Sequence, residues 1–135
     1  MTSRNHKIIV AIDVKSATDS CRSALEAGEE WIRLDLRALD DDISDKVAEA
    51  FVSLCSASGT ILTLVDDIER TERLKVHGIH LTGSDSDTLR AVRERLGANA
   101  IIGADIEAID ADEISRLRAL DIDYFSFEGN DYLVE

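Results

Sequence analysis

Several residue types and patterns are scarce in this sequence. It has no proline, two cysteines and four lysines beside eleven arginines, and only 4% of its residues are aromatic. No apolar run approaches the roughly 18 residues that a membrane-spanning helix needs, and the N-terminus holds no apolar stretch of signal-peptide length. We therefore expect a cytoplasmic protein without a membrane partner, in which Cys21 and Cys55 are buried thiols.

Positive charge is scarce as well. The 28 acidic residues, 17 of them aspartate, outweigh 15 basic residues and give a net charge of −13. The phosphates of nucleic acid would be repelled by such a chain, so nucleic acid is not an expected partner. The sequence also lacks GxGxxG, P-loop and Ser/His nucleophile patterns. The acidic balance is compatible with cation binding, and equally with solubility alone.

Short apolar segments alternate with stretches of helical periodicity along the whole chain. The apolar segments span residues 7–14, 30–36, 60–66, 78–82, 100–106 and 123–128. This order predicts a single βα-repeat domain over residues 1–135 with parallel strands. The fold class that we expect is α/β, an incomplete TIM-barrel-like (βα)6 parallel sheet, and the alternative is a flavodoxin-like doubly wound open sheet. The residues after 128 are too few for another helix and strand.

Acidic residues follow all six predicted strands, at the end where ligands bind in parallel α/β folds. Aspartate is common at helix N-caps and turns, which accounts for any one of them. So many carboxylates at one end are costly without a counter-ion, and their hard oxygen atoms suit Mg²⁺. The candidate substrate-binding residues at this end are Asp13, Asp35, Arg37, Asp105 and Glu128, and the candidate metal ligands are Asp66 and Asp85.

The segment "LVDDIERTERLKVHGIHLTGSD", residues 64–85, resembles the thiamine-phosphate synthase family, which includes the related thiazole tautomerases. The family's Asn-Asp-Arg motif after its third strand falls on residues 65–67, and its Gly-Val-His-Leu segment falls on 78–81. The resemblance implies that Asp66 and Asp85 hold the Mg²⁺ of a diphosphate substrate, and that Arg37 clamps an anionic oxygen. It extends over "RLGANAIIGAD", residues 95–105. His80 is expected to be a core residue or to contact the side chains that bind the ligand.

The sequence departs from this family at several positions. Where the family has Gln-x-Arg-x-Lys after strand two, this chain has Asp35, Arg37 and Leu39, and Asp105 replaces a serine. The seventh and eighth strands, which carry phosphate-binding glycines in the family, do not follow. We therefore predict little or no thiamine-phosphate formation by the isolated chain; if it is active, it is a transferase of this type.

Two alternatives remain open. The first is a non-catalytic descendant that binds a metabolite or a metal, or a subunit that needs a partner. The second is a phosphosugar aldolase or decarboxylase type of barrel, because "IVAIDV", residues 9–14, resembles the first strand of the orotidine-decarboxylase and hexulose-phosphate-synthase barrels. Their Asp-x-Lys-x-x-Asp signature is missing, since "LVDDIE" has no lysine. This alternative therefore ranks below the first reading.

The predicted sheet has two exposed edges, the first strand and the sixth. Both are apolar and carry little of the lysine or proline that protects natural edge strands. Exposed apolar side chains cost about 1.5–3 kcal/mol each, which is large against the stability of one domain. We therefore expect a homodimer.

Overall fold

The computed structural model describes residues 3–4 and 6–134, which form two compact units. The N-terminal unit comprises residues 6–77, and the C-terminal unit comprises residues 78–134 together with 3–4. The elements in chain order are β1 (Ser3–Arg4), β2 (Lys7–Val10), α1 (Val14–Glu26), β3 (Trp31–Asp35), α2 (Asp41–Ser58), β4 (Ile61–Val65), α3 (Ile68–Arg73), β5 (Gly78–Leu81), α4 (Ser86–Leu96), β6 (Ile101–Asp105), α5 (Ala111–Ala119), β7 (Tyr124–Phe127) and β8 (Asn130–Leu133).

An aspartate caps the N-terminus of each of these five helices. In every case the carboxylate accepts a hydrogen bond from the backbone N–H three residues further on, which would otherwise lack a partner. Five of the 17 aspartates therefore serve as helix caps. The five caps are Asp13, Asp40, Asp67, Asp85 and Asp110.

The N-terminal unit is a parallel sheet covered by two helices. Strand β3 pairs with β2 on one side and β4 on the other. Alternate side chains of these strands, such as Leu34 and Leu64, pack with Val47 and Phe51 of α2 and with the apolar face of α1. Cys21 and Cys55 are buried thiols in this core, as predicted. This packing leaves the carboxyl ends of β3 and β4 side by side.

The C-terminal unit repeats the parallel arrangement with β5, β6 and β7. Its core holds Leu89, Val92 and Leu117 from α4 and α5, all of them buried. Gly97 ends α4 with a positive φ of 89°, a backbone conformation that glycine adopts without strain. Gly103 in β6 has a different reason to be glycine: a Cβ there would lie 2.0 Å from the ring of Tyr124 in β7.

The end of the chain differs from the prediction. Residues 130–133 form strand β8, which runs antiparallel to β7, and β1 pairs antiparallel with β8. The turn between β7 and β8 consists of Glu128 and Gly129, both with positive φ (48° and 81°), as a two-residue hairpin with right-handed strand twist requires. The described residues after 128 form one strand and no helix. The expectation that the sixth predicted strand is an edge was wrong, because β8 pairs with it. Tight hairpins need so few residues that a seven-residue tail can supply a strand.

The six predicted strands are confirmed, with one change of boundary. The first ends at Val10, well before the predicted 14, because Asp13 caps α1 and Val14 already lies in that helix. The antiparallel strands β1 and β8 join the C-terminal unit as additions to the predicted parallel set. Among the described residues, none of the five helices combines the length and the apolar character that crossing a bilayer requires.

Candidate functional site

Arg37 lies just beyond the carboxyl end of β3 and contacts two carboxylates of the N-terminal unit. Its Nε and Nη2 atoms donate to the two oxygens of Asp35, at 3.0 and 2.8 Å, and its Nη1 lies 3.4 Å from Asp66 Oδ2. This fork holds the pKa of Asp35 below its ordinary value, although partial burial works in the opposite direction. The side chain of Arg37 remains 54% exposed. The long Nη1 contact is therefore the part of the guanidinium that a ligand can take over most easily.

A cavity of about 400 Å³ opens beside this cluster, entirely within the N-terminal unit. Its volume lies in the range of small-molecule sites. It is lined by the residues that follow β3 and β4, together with the first turns of α2 and α3: Leu36, Arg37, Leu39, Asp41, Ser44, Val65, Asp66, Asp67, Ile68, Glu69 and Arg70. The cavity therefore lies where ligands bind in parallel α/β folds.

Arg70 also lines this cavity, but its role differs from that of Arg37. Its guanidinium is only 12% exposed and pairs with Asp41, Asp45 and Asp67 at 3.4, 2.9 and 2.8 Å. It also donates to the backbone oxygen of Asp41 at 3.0 Å. Arg70 thus ties α3 to α2, and its charge is already balanced. Of the two arginines, Arg37 is the better candidate for binding an anion.

The adjacent residues Asp66 and Asp67 have separate tasks. Both carboxylate oxygens of Asp67 accept hydrogen bonds from Arg70, one from its backbone N–H and one from its side chain. Asp66 has a backbone φ of 57°, in the left-handed region that side chains other than Gly, Asn and Asp rarely adopt. Its carboxylate is 31% exposed and faces Arg37. The sequence could not separate these two neighbours, because only the start of α3 decides which of them becomes the cap.

The remaining predicted residues lie at other strand and helix ends. Asp13 and Asp85 are exposed N-caps, and the amides that they accept from lower their pKa values. Asp85 Oδ2 takes both the backbone N–H and the hydroxyl of Thr88, at 2.9 Å each. Glu128 is exposed in the β7–β8 turn. The structure therefore brings Asp35, Arg37 and Asp66 together, and it places Asp85, Asp105 and Glu128 in the C-terminal unit.

Asp105 ends β6 and belongs to a hydrogen-bonded chain that the sequence did not reveal. His80 Nε2 lies 2.8 Å from Asp105 Oδ1, and His80 Nδ1 lies 2.8 Å from the hydroxyl of Tyr124. The imidazole is buried, as expected for His80. Tyr124 carried no recognisable signal, since 44 residues separate it from His80 and a strand tyrosine usually serves the core.

Metal-ligating side chains are sparsely grouped in the residues that the structure describes. No cluster of three or more His, Cys, Asp or Glu is arranged to hold a metal ion. Asp66 already faces a guanidinium, and Asp85 has one oxygen occupied by Thr88. This donor set does not form a protein cage for a metal alone. It fits Mg²⁺ only in the manner of an ion that keeps its waters and arrives with phosphate oxygens.

Comparison with protein families gives a match over nearly the whole chain. The model of the family described as thiamine monophosphate synthase matches residues 8–129. The thiamine-phosphate synthase of Bacteroides fragilis is 36% identical over 88 residues, which cover 65% of this chain and 43% of that protein. The enzyme of the same name from Bacteroides thetaiotaomicron is 32% identical over 115 residues, covering 85% and 50%. The chain thus spans about half the length of the curated relatives it matches.

Solved structures give the fold class. A thiamine phosphate pyrophosphorylase from Pyrococcus furiosus matches with a TM-score of 0.75 at 19% identity, over 90% of this chain and 58% of that one. An orotidine 5′-phosphate decarboxylase from Pyrococcus horikoshii matches with a TM-score of 0.67 at 14% identity, over 87% and 62%. At these identities the likeness concerns the fold alone. The predicted fold, α/β and TIM-barrel-like with fewer units, is confirmed, and the flavodoxin-like alternative is not supported.

Proposed function

This chain belongs to the thiamine monophosphate synthase family, and from that membership we propose that it binds a phosphorylated small molecule at the carboxyl ends of its strands. The observation that carries the proposal is the position of Arg37. Its guanidinium is half exposed beside a cavity of ligand size, and Asp35 holds it in a fixed orientation. A planar guanidinium held in this way can donate two parallel hydrogen bonds to a phosphate.

Arg37 acts by exchanging partners. Its bonds to Asp35 orient the fork, while the 3.4 Å contact with Asp66 is long enough to be given up cheaply. A phosphate oxygen that replaces Asp66 gains a charge-assisted hydrogen bond. Asp35 stays in place and keeps the guanidinium at the mouth of the cavity. The acidic surroundings select for a phosphate that carries its own counter-ion.

Mg²⁺ is the counter-ion that we propose, in line with the family resemblance of residues 64–85. It would supply positive charge beside the phosphate oxygens, and Asp66 and Asp85 are the carboxylates that would hold it. Asp13, Asp35, Asp105 and Glu128 complete the proposed ligand-facing set. The carboxylates of Asp66 and Asp85 have access to solvent, whereas both oxygens of Asp67 are occupied by Arg70.

Titration calorimetry tests the binding proposal. Inorganic diphosphate and a pyrimidine diphosphate, each with and without Mg²⁺, are the probes. We expect sub-millimolar binding by the wild type and a loss of roughly tenfold or more in Arg37→Ala, the usual scale for a charge-assisted hydrogen bond. Arg90→Ala is the matched control, because Arg90 is 57% exposed and pairs with a neighbouring aspartate. Equal affinities in the two variants, or no binding by the wild type, would contradict the proposal.

The role of magnesium is tested with the same method. Asp66→Asn and Asp85→Asn should each remove most of the Mg²⁺-dependent gain in diphosphate affinity. Without metal, Asp66→Asn should bind diphosphate at least as tightly as the wild type, because it removes a negative charge that competes for Arg37. Asp87→Asn is the control, since Asp87 is 93% exposed and pairs with Arg90. A Mg²⁺-dependent gain that survives both substitutions would remove these two residues from the metal site.

Catalysis is a separate matter. We propose that the chain forms little or no thiamine phosphate, because Leu39 stands where the family has a second cation and Asp105 stands where it has a serine. A non-catalytic binder descended from the family is therefore our first reading of its role, ahead of a transferase. The phosphosugar barrel alternative has only the shared fold and the resemblance of residues 9–14 in its favour. Robust turnover by the pure protein in a thiamine-phosphate assay would refute this proposal.

We also propose that the protein is a cytoplasmic homodimer. Support for a second copy comes from β2 and the residue pair beyond it, where Ile8, Val10 and Ile12 are 54%, 57% and 69% exposed. Ile8 and Val10 alternate along β2, so they share one face, and Ile12 follows two residues beyond the strand. Two buried free thiols suit a reducing compartment. Light scattering at micromolar concentration should give about twice 14.9 kDa, and Val10→Asp should give the monomer. A wild type that is monomeric throughout would exclude the dimer.

A further inference from the structure

The Tyr124–His80–Asp105 chain ends in a carboxylate that faces solvent. Tyr124 and His80 are 1% and 3% exposed, whereas the side chain of Asp105 is 46% exposed at the last position of β6. Both ring nitrogens of His80 are engaged, at 2.8 Å each. With Asp105 ionised, Nε2–H donates to Asp105 Oδ1, and Nδ1 accepts the hydroxyl proton of Tyr124. The direction of each hydrogen bond in the chain is thereby fixed.

The surrounding sheet is shaped to keep this arrangement. The Tyr124 ring occupies the space that a side chain on Gly103 would need, so the glycine in β6 admits the tyrosine. The rings of His80 and Tyr124 also stack, with centroids 5.7 Å apart. A buried imidazole that is held by packing and by two hydrogen bonds cannot turn away from Asp105. The position of Asp105 Oδ1 is thus fixed by its hydrogen bond to His80.

The other carboxylate oxygen of Asp105, Oδ2, can accept a hydrogen bond from a ligand. Oδ2 accepts no hydrogen bond from the part of the chain that the structure describes, and a carboxylate oxygen can only accept. Ser126, which lies opposite Asp105 in the β6–β7 register, donates its hydroxyl to Asp131, so a second carboxylate lies on the neighbouring strands. Negative charge at this strand end repels phosphate and favours cationic N–H donors.

We propose that Asp105 is a binding site for the cationic N–H group of a small molecule, an amidinium or a protonated amine, with His80 and Tyr124 as positioning residues. This inference extends the proposed function, in which Asp105 is one of the ligand-facing residues, and its test does not depend on phosphate binding at Arg37. Asp105 supplies the charge and one fixed acceptor. His80 holds the carboxylate, and the hydroxyl of Tyr124 holds the His80 ring in place through Nδ1.

NMR titration of the ¹⁵N-labelled protein tests this site with benzamidinium as the probe, and with neutral benzamide and anionic benzoate for comparison. We expect saturable shifts of the amides around residues 80, 105 and 124 with benzamidinium, and no saturable shifts there with the other two. Asp105→Asn should weaken benzamidinium binding by roughly tenfold or more. Asp112→Asn, on an exposed turn of α5, makes the same change in net charge and should bind as the wild type does.

The NMR signals of the His80 ring nitrogens test the positioning role of His80 and Tyr124. The wild type should show the Nε2–H tautomer, and Tyr124→Phe should shift the Nδ1 signal and weaken benzamidinium binding a few-fold while the amide spectrum stays folded. Equal binding in Asp105→Asn and Asp112→Asn would overturn the site, as would shifts spread evenly over acidic surfaces. A His80 ring in the Nδ1–H tautomer would overturn the positioning role. Loss of diphosphate binding in Arg37→Ala leaves all these outcomes unchanged.

Discussion

Replacement of Gly103 by alanine is a severe test of how β6 and β7 fit together. The new Cβ would lie 2.0, 2.2 and 2.4 Å from three ring carbons of Tyr124, where ordinary contacts begin at about 3.4 Å. The ring is 1% exposed and cannot move into solvent. Overpacking of a core costs about 1–3 kcal/mol, and displacement of the tyrosine also breaks its hydrogen bond to His80, worth about 1 kcal/mol. We expect Gly103→Ala to lose about 2–4 kcal/mol of unfolding free energy.

Urea unfolding followed by circular dichroism measures this loss. With a slope of about 2 kcal/mol per molar urea, the midpoint should fall by about 1–2 M. Gly83→Ala is the control, because nothing lies within 4 Å of the added Cβ, and its change should stay within about 0.5 kcal/mol. Gly103→Ala should cost much less in a Tyr124→Leu background, which lacks the clashing ring atoms. Equal midpoints for the two alanine variants, or additive losses in the double mutant, would refute this account of the packing.

Three further predictions concern charge and thiol groups. Arg37 lowers the pKa of Asp35, so their pairing should stabilise the fold by up to about 1 kcal/mol above the ordinary value of 3.8, and this contribution should be lost as the pH falls through the lowered pKa. In chemical denaturation, a difference between wild type and Arg37→Gln that does not shrink as the pH is lowered would contradict this. Arg70→Met should lose about 2–3 kcal/mol of unfolding free energy because it leaves Asp41 and Asp67 without their cation. Arg73→Met, at a site 43% exposed, should lose much less, because Asp45 keeps its contact with Arg70. Equal losses in the two variants would be evidence against the role of Arg70 in joining α3 to α2. Cys21 and Cys55 are both buried, so Ellman's reagent should react with them only as fast as the protein unfolds, and rapid labelling of the folded protein would disprove this.

Local signals in the sequence determined much of this fold. Six apolar segments predicted six strands, and Gly97 marked the end of α4, because strand cores and helix ends depend on a few neighbouring residues. The family resemblance of residues 64–85 and the position of Arg37 just after β3 are likewise visible in short stretches of the sequence. Short-range patterns can also be ambiguous. Asp66 and Asp67 look alike in sequence, and only the start of α3 assigns one to a cap and leaves the other facing Arg37.

Contacts between distant segments decided the rest. Strand β8 has four residues and no helix before it, so nothing local distinguished it from a tail until β7 provided hydrogen-bond partners. Tyr124 and His80 meet across 44 residues because Gly103 leaves room for a ring, a steric relation that exists only once β6 and β7 are paired. Asp105 was recognisable as an acidic strand end. Its fixed orientation came from the folded sheet, since a carboxylate is held by groups that the chain brings to it from elsewhere.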